Sequence, residues 1–416
     1  MSLKIYSWVD VPENSDFSIY NLPFGIFSTE IHTPQVGVAI GDQILALDAV
    51  AYLGLLDDLE IPASVFRELV LNPLIALGKK TTQALRARLT ALLSEGENAL
   101  REHADKVLLP QKDARMHLPV KVGDYTDFYS SIEHATNVGK MFRDPANALL
   151  PNWRHLPVGY HGRASSIVIS GTPVHRPKGQ MMPQGAEKPV FGPTNLLDFE
   201  LEMAFILGKN TALGQSISTT EAEDYIFGMV LFNDWSARDI QSWEYVPLGP
   251  FLGKSFASSV SPWVVTMEAL DHFRVDGPKQ EPEVLPYLQF SRAKNFDIHL
   301  EVALQPQNSA ETVICHSNFK YMYWNCAQQL AHHTVNGCNM QVGDICASGT
   351  ISGSSPDSYG SMLELTWRGQ NPLKLSDGSE RKFVQDYDTI TMRGFAEKDG
   401  IRVGFGEVSG QVLPAL

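Results

Sequence analysis

The chain has 416 residues, enough for two or three domains. Hydrophobic residues make up 44% and charged residues 19%, which supports a sizeable core and excludes a disordered chain. A formal net charge of -14 weighs against a nucleic-acid or acidic-membrane partner, because both need a basic face.

The N-terminus, MSLKIYSWVD, has no basic stretch leading into an apolar one, so no signal peptide is expected. No run approaches the roughly 18 apolar residues of a membrane span. Four cysteines, Cys315, Cys326, Cys338 and Cys346, form no CxxC pair. His332 and His333 lie between two of them, but the spacing fits no zinc signature. Buried thiols in a reducing, cytoplasmic compartment are the expectation.

Residues 1–50 read as strands. Gly37–Ile40, a Gly41-Asp42 turn and Gln43–Leu47 predict a hairpin. Residues 62–105 read as helices. The best runs from about Thr81 to Glu95, with Leu85, Leu89 and Leu92 on one stripe and Gly96 as a stop. Pro110 and Pro119 bracket the polar QKDARMHL, and a domain boundary is placed near 118. The spacing therefore predicts an N-terminal domain over 1–118 and a larger, β-rich domain over 119–416.

Residues 145–193 are rich in proline and glycine. Such a long irregular stretch in a compact domain is usually functional. Trp153, Tyr160, Phe191 and Ile167-Val168-Ile169 argue against a disordered linker. Later strands are predicted over 197–208, 228–233 and 298–304, with several more between Phe383 and Gly410. A helix is predicted over about 321–334. Gly404-Phe405-Gly406 reads as a bulge or a site of tight packing.

The most informative segment is Asp198-Phe199-Glu200-Leu201-Glu202-Met203-Ala204-Phe205. In a strand the three acids share one face, and Phe199, Leu201, Met203 and Phe205 the other. An ordinary surface strand could show this pattern. Adjacent like charges repel, however, and two Glu at i, i+2 present carboxylates well to one cation. Asp234 ends a second apolar strand. Asp234, Arg238, Gln241 and Tyr245 then follow the period of a helix, predicting a polar stripe that faces a site or solvent. Asp127 and His134 follow Asp124-Tyr125-Thr126, with Arg143 beyond. A lone histidine is more often structural, and spacing alone does not decide its role. Carboxylates without His or Cys select Mg²⁺, Ca²⁺ or Mn²⁺ over zinc.

Several longer motifs carry a resemblance. They are DYTDFYSSIEHATNVGKMFR at 124–143, LPVGYHGRASSIV at 156–168, DFELEMAFILG at 198–208, NDWSARDIQSWEYVPLGPFLGKSF at 233–256 and SGTISG at 348–353. Together, and over the whole length, the chain resembles the fumarylacetoacetases, hydrolases that end tyrosine and phenylalanine breakdown. The resemblance implies a mainly β protein with some α. Its parts would be a small SH3-like N-terminal barrel and a larger mixed β-sandwich or β-roll catalytic domain. It implies a homodimer and a small dicarboxylic diketone substrate.

By position, the resemblance makes Asp127, Glu200, Glu202 and Asp234 metal ligands, for Ca²⁺ or Mg²⁺, both of which accept these groups. It makes His134 the general base and Glu364 its orienting carboxylate. Arg238, Gln241 and Lys254 would steady developing negative charge. Tyr129, Arg143, Tyr160, Gln241, Tyr245 and Thr350 would contact substrate. Lys254 and Ser258 would attend a second, Mg²⁺-like ion. The family usually has threonine where this chain has Ser258. Serine keeps the hydroxyl, so that site is expected to survive.

Overall fold

The computed structural model describes residues 4–416; Met1–Leu3, the start of the segment expected to be strand, lie outside the described residues. Five antiparallel strands form the N-terminal sheet. Their order is Leu108–Pro110, Gln43–Ala46, Gln35–Ile40, Phe24–Ser28 and Arg115–His117. The expected hairpin is present, with Ile40 opposite Gln43. Its turn needs Gly41, which has φ +52 and would strike the Asp10 carbonyl if it carried a Cβ.

The Leu85, Leu89 and Leu92 stripe is buried on a helix over Lys79–Leu93. This helix begins earlier than the expected Thr81, because Gly78 at φ +91 turns the chain directly into Lys79. The other helices expected over 62–105 are single turns, such as Asn72–Ala76 and Ala104–Val107. QKDARMHL is not a free connection. Arg115–His117 pairs with Phe24–Ser28 and completes the N-terminal sheet.

The rest of the chain forms two large sheets and four two-stranded ones. The central one runs Gly159–His161, Tyr125–Phe128, Ile345–Ala347, Leu201–Leu207, Ile226–Asp234, Ser258–Val260 and Ile167–Ile169. The second contains Thr312–Asn318, His299–Gln305, Thr389–Lys398, Ile401–Leu413 and Val174–His175. Leu201, Met203, Phe205, Met229 and Leu231 on one face of the central sheet share a core with Leu300, Val302, Met392, Val403 and Phe405. Ala204, Ile206, Val230 and Phe232 on the other face share a core with Ile26, Val38 and Leu89 of the N-terminal region. The central sheet is thus covered on both sides, which is why its strands read as continuous apolar runs.

Three expectations need correction. The acidic strand is interrupted: Leu197–Asp198 and Leu201–Leu207 are separate strands. The Asn233 side chain accepts the Glu200 N–H at 3.2 Å, so the ladder breaks there. Asp234 is not the first residue of a helical stripe. It ends a strand, and the helix covers only Arg238–Glu244. Likewise the helix expected over 321–334 starts at Cys326, where Asn325 and Gln328 form a reciprocal cap. Gly406, at φ +65, lies in the irregular register between the last two long strands, so the Gly404–Gly406 expectation of a bulge holds. Cys315, Cys326 and Cys346 are buried free thiols, and Cys338 is half-buried.

Candidate active site

Four carboxylates converge at one end of the central sheet. Asp127 comes from Tyr125–Phe128, Asp234 from the end of Ile226–Asp234, and Glu200 and Glu202 from the entry to Leu201–Leu207. Antiparallel pairing sets Leu201 opposite Asn233, so the acids of neighbouring strands meet at the same edge. One oxygen from each of the four lies within 4.8 Å of the others, and all four residues are buried. The surface-strand reading of the acidic segment is therefore excluded.

The loop after Ile345–Ala347 closes over this cluster. The Gly349 N–H donates to Asp127 Oδ1 and Glu202 Oε2, each at 3.1 Å. Gly349 has φ +78, and a Cβ there would lie 2.3 Å from the Phe128 carbonyl oxygen. Only glycine brings this N–H so close.

The electrostatics are divided. Burial, then the neighbouring carboxylates, pushes Asp127 and Glu202 well above the usual carboxylate range. Glu200 goes the other way. Burial acts to raise it, but Lys254, Arg238 and His134 bring it down to about 2. Glu202 Oε1 is buried without a partner among the described residues. An all-oxygen donor set, crowded negative charge and an orphaned carboxylate oxygen fit a hard divalent cation.

Two cations flank the cluster. Arg238 binds Asp198 Oδ2 through Nε at 2.8 Å and Glu200 Oε1 through Nη1 at 2.7 Å. Lys254 Nζ donates to Glu200 Oε2 and, at 2.7 Å, to Asp234 Oδ2. Burial works against the Lys254 charge, but Asp234 and Glu200 raise its pKa overall. The ammonium has no lone pair, so Lys254 stands as the charge partner of these carboxylates and not as an ion ligand through Nζ. Ser258 Oγ donates to Asp234 Oδ1 at 3.0 Å, and Tyr160 Oη to Asp234 Oδ2 at 2.6 Å.

The second constellation surrounds His134, which lies in the first turn of the helix Ile132–Phe142. Ser131 caps that helix by accepting the His134 N–H. His134 Nδ1 and Glu364 Oε2 are 2.6 Å apart, and both residues are buried. Glu364 Oε1 accepts from Asn137 Nδ2 at 3.0 Å, while Oε2 accepts from Ser352 and Ser361 hydroxyls at 2.9 Å. Burial acts to raise Glu364, but His134, Asn137 and Ser361 hold it below its ordinary value. The Tyr129 ring stands edge-on to the imidazole, with centroids 5.1 Å apart. Burial, then Glu364 and Glu200, raises the pKa of the Tyr129 phenol, against Arg238 and Arg143.

The remaining expected residues are more peripheral. Thr350 is buried and its Oγ1 has no partner among the described residues. Arg143 is exposed and holds the Ala148 carbonyl through Nε and Nη2. Gln241 is half-buried and Tyr245 exposed, on and just after the Arg238–Glu244 helix. Among the described residues neither side chain hydrogen-bonds the carboxylate cluster. Asn137, Ser352, Gly349 and the pairing of Asp198 with Arg238 were not anticipated. Asn137 is one helical turn beyond His134, and Ser361-Met362-Leu363-Glu364 has the S-x-x-E pattern of a helix start, so two signals were available.

Comparison with known proteins gives the family of the chain. Residues 20–119 match the family model described as fumarylacetoacetase N-terminal, and residues 124–413 the model described as fumarylacetoacetate hydrolase C-terminal. The human fumarylacetoacetase is 54% identical over 415 residues, covering 99% of each chain. That of Arabidopsis thaliana is 50% identical, covering 98% of each. Among solved structures, a fumarylacetoacetate hydrolase from Exiguobacterium antarcticum shares the fold, with a TM-score of 0.54 at 17% identity. That match covers 94% of this chain and 99% of the other. The chain belongs to the fumarylacetoacetate hydrolase family.

Proposed function

We propose that this chain hydrolyses 4-fumarylacetoacetate to fumarate and acetoacetate, the last step of tyrosine and phenylalanine breakdown. The observation that carries the reading is the buried His134–Glu364 pair beside a four-carboxylate cluster, in a chain 54% identical to named fumarylacetoacetases over nearly its whole length.

His134 donates its Nδ1 proton to Glu364, which leaves Nε2 able to accept one. His134 takes a proton from water, and the resulting hydroxide adds to the carbonyl carbon of the fumaryl group itself. The carbon–carbon bond on the far side of that carbonyl breaks, and the electron pair leaves on the acetoacetate fragment as an enolate. That enolate takes up a proton to complete the products. Glu364 fixes the imidazole tautomer, as in other His–carboxylate pairs. Arg238 and Lys254, with Gln241, stabilise negative charge as it develops; each such donor is worth about 3 kcal/mol. A divalent cation at Asp127, Glu200, Glu202 and Asp234, when bound, supplies Lewis-acid polarisation of the diketone oxygens. Tyr129, Arg143, Tyr160, Tyr245 and Thr350 would hold the substrate.

Ca²⁺ at the four carboxylates, with Mg²⁺ near Asp234 and Ser258, is part of this reading. So are a division at residue 118, a cytoplasmic location and a homodimer. No helix is long and apolar enough to cross a membrane among the described residues. Support for the dimer comes from a run of exposed apolar side chains, Trp243, Val246, Leu248, Phe251 and Leu252, with Leu248 97% exposed. Patches of this kind mark interfaces.

The test is turnover of fumarylacetoacetate by purified protein, with product identification. Replacing His134 with Ala is expected to lower kcat by at least about 100-fold while the protein stays folded. A folded variant that works near the parent rate would remove the base assignment.

A further inference from the structure

Asp198 lies between the two constellations and touches neither the carboxylate cluster's shared centre nor the imidazole. It is fully buried. Its Oδ2 accepts from Arg238 Nε at 2.8 Å and from the Leu363 N–H at 3.0 Å, and its Oδ1 accepts from the Met362 N–H at 2.7 Å. Met362 and Leu363 open the short helix Met362–Leu365 that carries Glu364. The Asp198 backbone is held as well, since Leu197–Asp198 pairs with Ser236–Ala237, directly before Arg238.

One carboxylate therefore fixes two catalytic groups from different parts of the chain. Arg238 has Nε on Asp198 and Nη1 on Glu200, which leaves Nη2 buried and without a partner among the described residues. A guanidinium held by two arms presents its third in one direction only. On the other side, the Met362–Leu363 backbone can shift only if it gives up both N–H bonds to Asp198. A shift there would move Glu364 and with it the 2.6 Å contact to His134.

We propose that Asp198 is a positioning residue that sets the Arg238 guanidinium and the His134–Glu364 pair in register with one another. The bland alternative is a buried ion pair that serves stability alone. The two differ in what removal does. A stability role lowers the melting temperature and leaves kcat per folded molecule unchanged. A positioning role lowers kcat with little change in KM, because small misplacements of preorganised groups act on the transition state.

The inference rests on the proposed hydrolase reading for its kinetic arm, so the experiment carries a second arm that needs no substrate. Asp198→Asn keeps the shape but cannot accept from Arg238, Met362 and Leu363 together. The expected result is a folded variant with kcat about 100-fold lower and KM within about threefold of the parent. Added to Arg238→Ala or to Glu364→Gln, the same substitution should lower kcat by less than about tenfold, because it acts through those residues. By proton NMR, the proton between His134 Nδ1 and Glu364 should give a downfield resonance in the parent that shifts or broadens in Asp198→Asn. If Asp198→Asn does not fold, Asp198→Glu, which keeps the charge but displaces it by one methylene, is read by the same criteria. A folded variant that keeps kcat within threefold, or an unchanged resonance, overturns the inference. An inactive parent whose resonance still responds to Asp198→Asn would count against the hydrolase reading and not against the clamp.

Discussion

At the residue scale the site turns on neighbours that share a residue type and differ in surroundings. Glu200 and Glu202 are two residues apart, yet Glu200 meets Lys254 and Arg238 while Glu202 meets Asp127 and the Gly349 N–H. Glu200 is held ionised by cations of the chain, whereas Glu202 is surrounded by carboxylates and its pKa is raised. The alternating acids were legible in the sequence because a strand's period puts them together. Their separate roles were not, because Lys254, Arg238 and Gly349 arrive from other segments. Gly349 offers a direct check. Gly349→Ala would force a Cβ against the Phe128 carbonyl and push the N–H away from Asp127 and Glu202. Isothermal titration with Ca²⁺ should show affinity reduced about 10-fold or more; unchanged affinity would mean the N–H does not tune the cluster.

At the element scale, the short helix Met362–Leu365 matters more than its length suggests, because it delivers Glu364 to His134. Its start was readable in Ser361-x-x-Glu364, but its partners were not: Asn137, Ser352 and Asp198 are long-range contacts. The Glu364 carboxyl is held below its unfolded value, so it contributes stability that is fully present above about pH 4.3. That contribution is lost as pH falls through the lower, folded-state value. Thermal melts of the parent and Glu364→Gln should therefore differ at pH 6, and the difference should narrow as pH is lowered from about 5 towards 3. A gap that widens on acidification would contradict the assignment. The helical stripe predicted from Asp234 failed for an equally non-local reason. Asp234 is the last residue of a strand in the central sheet, and sheet pairing overrode a period that the sequence also allowed.

At the scale of the molecule, the central sheet is the shared wall between the N-terminal region and the second sheet. The hairpin and the Leu85–Leu92 stripe announced their own elements, and the apolar strands announced a core on one face but not burial on both. What could not be read was which surfaces meet, since that depends on pairings hundreds of residues apart. Phe232 is fully buried against the N-terminal core, so Phe232→Ala should cost about 3 to 5 kcal/mol in chemical denaturation. A cost below about 1 kcal/mol would mean the two regions are only loosely joined. The exposed segment around Leu248 and Phe251 bears on assembly. Leu248→Glu with Phe251→Glu should shift mass by light scattering from two chains to one, and a parent that is already monomeric would remove the dimer from the account.

Metal-dependent hydrolysis at the Asp127–Glu200–Glu202–Asp234 cluster is tested by following loss of fumarylacetoacetate absorbance with purified protein before and after EDTA. The expected result is rapid loss yielding fumarate and acetoacetate, abolished by EDTA at a temperature where the protein stays folded and restored by Ca²⁺ or Mg²⁺. No loss of absorbance from folded, metal-loaded protein would contradict it.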